Sequence, residues 1–226
     1  MKDFIFGTFR RRLVDRDLWR YRDLLDGRVL DLGGGRTRGE FPHGKELGWV
    51  VLDIDIGLEP AIVGDAQKLP FRNEVFDAVK CSELTGYLFE PLKMLKEVAR
   101  VLKSGGRTVI TSPFLTPYDH DQHDSVRLTG AWWEWAAKRA GLTIEKLEPQ
   151  GYFFSVLGDA EKYWIFHWWL PLRYLGYLIM FPVYELLFWW EQHVPVPDYF
   201  KRFTTGFLVV LKKPRDRHGP PRRASR

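Results

Sequence analysis

The stretch VLDLGGGRT, residues 29–37, decides the fold. Four residues, apolar but for one acid, run into three glycines, as when a buried strand ends in a tight turn. Gly33, Gly34 and Gly35 let the backbone bend sharply and approach a ligand where a side chain would collide. A dinucleotide fingerprint G-x-G-x-x-G begun at Gly33 would need glycine at position 38, where Arg38 stands. Asp31 is an acid inside the strand, and a buried acid requires hydrogen bonds or a positive partner. A phosphate would be repelled there; a sulfonium or amino group would be attracted.

Outward from this turn, short apolar runs alternate with helical or loop segments. Residues 49–54, 61–63, 75–81 and 107–111 read as four more strands. Residues 91–102 read as a helix that Pro91 opens and Gly105-Gly106 close. Strands alternating with crossovers predict an α/β fold with a mostly parallel, Rossmann-like sheet. Further along come a polar loop at 113–130, a helix at 131–140, a strand at 142–147 and a last strand at 206–211. The acids fall in order at strand ends. Asp53, favoured over Asp55, is placed to take a ribose diol, and Asp65 in GDAQKLPF to take an adenine amino group. Taken singly, each is equally a loop-capping carboxylate.

The chain resembles the class I S-adenosylmethionine-dependent methyltransferases of the type 11 kind. The resemblance rests on VLDLGGG, on VVLDID at 50–55, on GDAQKLPF at 64–71, on FDAVKCSE at 76–83 and on EVARVLKSGGRTVITSPF at 97–114. It implies seven strands, the last antiparallel, and S-adenosyl-L-methionine as cofactor. It also implies that Asp31 and the three glycines face the methionine part and Asp53 and Ile54 the ribose. Asp65 and Ala66 would flank the adenine, and Ser82 the sulfonium. Two departures stand out. Thr37 replaces the third motif glycine, and Gly86-Tyr87 replaces a frequent Glu-His pair.

A methyl acceptor needs alignment and, if it is a hydroxyl, a base. His123 and Asp124, in DHDQHDSVRLT after the fifth strand, are the candidate base pair, with O-methylation favoured. The alternative is structural: Asp124 pairs with Arg127, and Thr129 caps the next helix. No metal site is expected. Between the sixth and seventh strands lies an aromatic insert, residues 151–205. Residues 163–190 hold twelve aromatics, with Arg173 and Glu185 as the sole formal charges. The insert is a packed lid, an interfacial anchor or a span; its longest uncharged run, eleven residues, is shorter than a span requires. It leaves the sheet at the carboxyl edge, so it should overhang the acceptor, which favours an apolar or lipid-linked molecule.

The net charge of +5 is concentrated at one end. Residues 212–226 hold seven basic residues and one acid, which leaves residues 1–211 at −1. Nucleic acid is therefore an unlikely partner, and an anionic membrane surface a better one. One cysteine and no apolar leader point to a cytoplasmic chain, peripheral on the membrane's inner face if the insert is an anchor. The organisation expected is one domain, 1–213, with a cofactor-binding core at 28–150 and 206–212, and a basic disordered tail at 214–226. The competing readings are a non-catalytic membrane-associated protein that keeps the cofactor pocket, and an RNA methyltransferase.

Overall fold

A computed structural model describes residues 7–35, 39–119 and 124–215. Its centre is one seven-stranded sheet: β1 (Val29–Leu32), β2 (Val50–Asp53), β3 (Ile62–Val63), β4 (Phe76–Ser82), β5 (Leu102–Pro113), β6 (Thr143–Gln150) and β7 (Gly206–Lys212). The spatial order is β3-β2-β1-β4-β5-β7-β6. Strands β1 to β5 pair in parallel, and β7 is inserted antiparallel between β5 and β6. The α/β sheet expected from the sequence is thus formed, with its antiparallel last strand. Strand order reverses between β1 and β4, which opens a crevice at their carboxyl ends.

Side-chain alternation sorts each strand between two cores. Leu30, Leu32, Val79, Cys81 and Ile110 face α2 (Pro91–Val101) and α3 (Gly130–Arg139). Val29, Ala78, Val109, Leu208 and Val210 face α1 (Phe9–Arg20), through Val14 and Leu18. Both faces are covered, so the strands are apolar almost throughout. Thr129 accepts from the Trp132 amide and caps α3, as its spacing suggested. Cys81 is buried, and burial pushes its thiol up to about 12, which leaves it inert at neutral pH.

The structure corrects one expectation and narrows another. Gly105 and Gly106 do not end a helix: α2 stops at Val101, and both glycines lie inside β5. Gly106 is required by close approach, since a Cβ there would stand 2.8 Å from the Asp77 carbonyl oxygen, and Gly105 by its φ of +84°. Residues 9–20, which the sequence left unassigned, form α1, its apolar face hidden among arginines. The insert is a helical hairpin of α4 (Phe153–Phe166) and α5 (Leu170–His193). Among the described residues no helix is long and apolar enough to cross a membrane, so the spanning alternative is set aside.

Candidate functional site

The crevice is built by the turn after β1 and the loop after β4. Gly33 has φ +67° and its amide donates to the Leu52 carbonyl at 2.8 Å, which bends the chain over the end of β2. A Cβ there would meet Leu84, so the two loops touch across the switch point. The Gly35 amide donates to Asp53 Oδ2 at 3.0 Å, and Asp55 N donates to Asp53 Oδ1 at 3.0 Å. Each Asp53 oxygen keeps a further lone pair for a ligand hydroxyl. Glycine is obligatory at 35, because a Cβ would lie 2.8 Å from both Asp53 Oδ2 and Leu58 Cβ.

Asp31 lies deeper. It is 1% exposed, and Lys80 Nζ donates to its two oxygens at 2.9 and 3.0 Å. The pairing follows from the sheet: Asp31 and Lys80 are direct partners in the β1–β4 ladder and share the α1 face. The carboxylate fills space beneath the turn, where Cβ atoms on Gly34 or Gly44 would stand 2.5 and 2.7 Å from its Oδ2. Asp31 therefore supports the glycine turn from below, its charge met by Lys80. Lys80 was as visible in FDAVKCS as Asp31 was in VLDL, each a lone charge in an apolar strand.

The remaining residues expected at the cofactor surround the same edge. Ser82 Oγ and Thr111 Oγ1 are hydrogen-bonded at 3.0 Å at the ends of β4 and β5. Ile54 is largely exposed just beyond Asp53, and Ala66 is buried in the loop after β3. Asp65 Oδ1 accepts from the Gln67 amide at 2.8 Å, and Asp55 caps the turn at Gly57. Asp65 and Asp55 thus serve their own loops in the capping manner.

On the acceptor side, Asp124 forms a two-pronged pair with Arg127 and also accepts from the Asp119 amide at 3.2 Å. The Arg127 hydrogen bonds hold its carboxyl below the usual carboxylate range, against a raising effect of burial. A carboxylate so held is a weak proton acceptor and a firm strut. His123 lies outside the described residues. Among those described no group of three or more His, Cys, Asp or Glu side chains could hold a metal ion.

No sequence signal pointed to Arg10. Its guanidinium pairs with Glu83, which follows Ser82, and donates to Gln150 Oε1 at 2.6 Å. Asp159 of α4 accepts from the amides of Phe9 and Arg10 at 2.6 and 2.8 Å, capping α1. One arginine thus joins the first helix, the loop at the crevice, the end of β6 and, through its backbone, the insert. Glu83 sits at φ +58°, a conformation costly for a non-glycine residue and held here by the pair.

Burial alone would raise the Glu83 carboxyl, but the charge and hydrogen bonds of Arg10 outweigh it and bring it below its ordinary value. In the unfolded chain the group titrates near about 4.3. The pair's contribution is therefore full above that value and is lost as pH falls through the lower native pKa. Urea melts of wild type and Glu83→Gln should show a stability gap at neutral pH that narrows below about pH 4. A gap independent of pH would contradict a charged pair.

The insert leaves at Gln150 and returns at Gly206, which are paired with each other, while Gly206 also pairs with Pro113 at the carboxyl end of β5. Its root is thus at the edge where the crevice opens. Glu191 of α5 accepts from the amides of Tyr152, Phe154 and Ser155 and so caps α4. The tail's root is at the other edge: the Gly105 amide donates to the Lys213 carbonyl at 3.0 Å.

Residues 30–110 match the family model described as a methyltransferase domain. A demethylmenaquinone methyltransferase of Mycolicibacterium paratuberculosis is 35% identical over 99 residues, covering 40% of this chain and 43% of that protein. The chain thus spans less than half the length of this curated relative. Among solved structures, the [4+2]-cyclase SpnF superposes with a TM-score of 0.59 at 18% identity, over 91% of this chain and 82% of that one. The O-methyltransferase of a trans-AT PKS multienzyme of Brevibacillus brevis, in complex with S-adenosyl-L-homocysteine, gives 0.52 at 16%, over 93% and 80%. At such identities the likeness shows the fold alone, and one bearer of that fold is named a cyclase.

Proposed function

We propose that the chain, whose residues 30–110 match the methyltransferase-domain family model, transfers a methyl group from S-adenosylmethionine to an apolar, lipid-linked acceptor. The observation that carries this is a juxtaposition. The Gly33–Gly35 turn with Asp53, and the root of an apolar aromatic hairpin, share one edge of the sheet. The residues present suit the cofactor. The three glycines let the turn close onto Leu84, Asp31 and Asp53, where a Cβ would collide, and so hold Asp53 in place with free lone pairs for a diol.

When bound, the cofactor supplies an electrophilic methyl group, so the protein's task is alignment and exclusion of water. Asp53 would hold the ribose, Leu84 and Ala66 would wall the site, and the Ser82–Thr111 pair would border the methyl end. The Arg10–Glu83 pair fixes the loop between cofactor and insert. With Asp124 committed to Arg127, the proton of a hydroxyl acceptor would pass to His123. A lipid-linked acceptor is supported by the apolar, aromatic outer face of the insert and by the acceptor named for the curated relatives, a demethylated menaquinone.

The test is transfer of labelled methyl from S-adenosylmethionine to matched acceptors, one bearing an isoprenoid chain and one without it. A kcat/KM at least about tenfold higher for the chain-bearing acceptor is expected, since a few buried methylenes suffice for that factor. Equal rates would contradict the apolar acceptor, and an alkali-stable ether product would assign oxygen as the accepting atom.

A further inference from the structure

We propose that the outer face of α5 is an interfacial platform that seats the protein on an anionic bilayer surface. Every exposed residue of α5 from Leu170 to Trp189 is apolar or a tyrosine. Leu175, Leu178, Ile179, Val183 and Leu186 recur at helical spacing, with Leu178 at 74% and Leu186 at 65% exposure. The stripe covers twenty positions, about 29 Å of helix. An exposed apolar stripe of that extent on a folded chain marks an interaction surface.

The opposite face of α5 already has its partners. Gly176 lets the helix approach Ile165 and Trp168, where a Cβ would stand 3.1 Å from each, and Phe188 stacks on Phe9 at 4.5 Å. No described residue covers the outer stripe, and its ends carry exposed Trp164 and Trp169 on one side and Trp189 on the other. Tryptophan has an apolar body and one polar N–H, the side chain best suited to the headgroup boundary.

Charge selects the occupant. All four acids of the hairpin have partners within the fold: Asp159 at the start of α1, Glu161 at Tyr184, Glu185 at Arg12, and Glu191 at the start of α4. No acid stands among the exposed residues of α5, and Glu185, at 28% exposure, is paired with Arg12. Beside α5 runs a row on α1 at four-residue spacing, Arg12, Arg16 and Arg20, paired to Glu185, Asp17 and Glu148; the arginine side chains are about half exposed (46%, 46% and 58%) and each is more exposed than its acid (28%, 3% and 33%). Arg12 lies over the Phe188 ring at 4.7 Å, and Arg16 bonds Gln192, so the row borders α5 itself. An apolar stripe bordered by arginines more exposed than their paired acids complements anionic headgroups over acyl chains. Since no described helix can cross a membrane, the platform lies on the surface. It deepens the proposed function, because the acceptor edge would then face the lipid, yet it is tested without any methyl transfer.

The experiment is vesicle flotation of the full chain, using phosphatidylcholine alone or mixed with phosphatidylglycerol. The chain should float with the mixed vesicles and weakly, in a salt-independent manner, with the neutral ones. Leu178→Asp and Leu186→Asp, both at exposed sites, should each reduce partitioning by about tenfold or more. Far-UV circular dichroism and melting temperature should stay at wild-type values. Arg16→Gln with Arg20→Gln should abolish the preference for anionic vesicles. Three results would overturn the platform. Flotation unchanged in both leucine variants but lost on truncation after Arg215 would move binding to the tail, at the far edge of the sheet. Absence of flotation with a monomeric chain would remove it altogether. A lipid-free dimer that Leu178→Asp dissociates would make the stripe a self-interface.

Discussion

Replacing Lys80 by methionine is expected to cost about 3–5 kcal/mol of stability and to lower the melting temperature by about 10 °C. The magnitude comes from what stays behind. Asp31 is 1% exposed and lies under the turn of Gly34, so without Lys80 its carboxylate has neither water nor a counterion. Replacing both partners removes the stranded charge, and burying an apolar pair of similar volume is often neutral or favourable. The variant Asp31→Leu with Lys80→Met should therefore recover most of the loss, within about 1 kcal/mol. Thermal and urea unfolding of the two single variants and the double close the cycle. Additive losses would contradict a coupled pair.

Gly34→Ala should lower S-adenosylmethionine affinity by about two orders of magnitude while costing about 1–3 kcal/mol of stability. The new methyl would stand 2.5 and 2.7 Å from the two oxygens of Asp31. That side chain cannot swing away, because Lys80 holds both oxygens and Gly44 closes the other side. The turn itself must lift, and it carries Gly35, whose amide holds Asp53. Gly7→Ala is the control: a Cβ at Gly7 meets nothing within 4 Å, and affinity and stability should match wild type. Wild-type affinity in Gly34→Ala would show that the turn is not part of the cofactor site.

Legibility in the sequence followed the range of each interaction. The strand into Gly33–Gly35, Asp53 closing β2, Thr129 capping α3 and the Asp124–Arg127 pair all lie within a few residues of their signals. Hence residue spacing alone was enough to find them. The partner of Asp31 is 49 positions away and is fixed by the β1–β4 register, which no local pattern encodes. Helix α1 was obscured because its solvent and rim positions are arginines, and one of them, Arg10, is buried against Glu83. Gly105-Gly106 resembled a helix stop since glycine serves both that purpose and close backbone approach; here the neighbour is the Asp77 carbonyl. The insert's lack of a polar face was plain, but its division into buried and exposed stripes depends on α1 and α4, which supply the inner partners.

The measurement that bears most directly on the whole account is a calorimetric titration of the wild-type chain with S-adenosylmethionine. One molecule should bind per chain and be displaced by S-adenosylhomocysteine, which shares the ribose, adenine and amino-acid groups read by the same edge. A folded, monodisperse chain that releases no heat with either compound would contradict a cofactor site at the β1–β4 crevice, and with it the proposed methyl transfer.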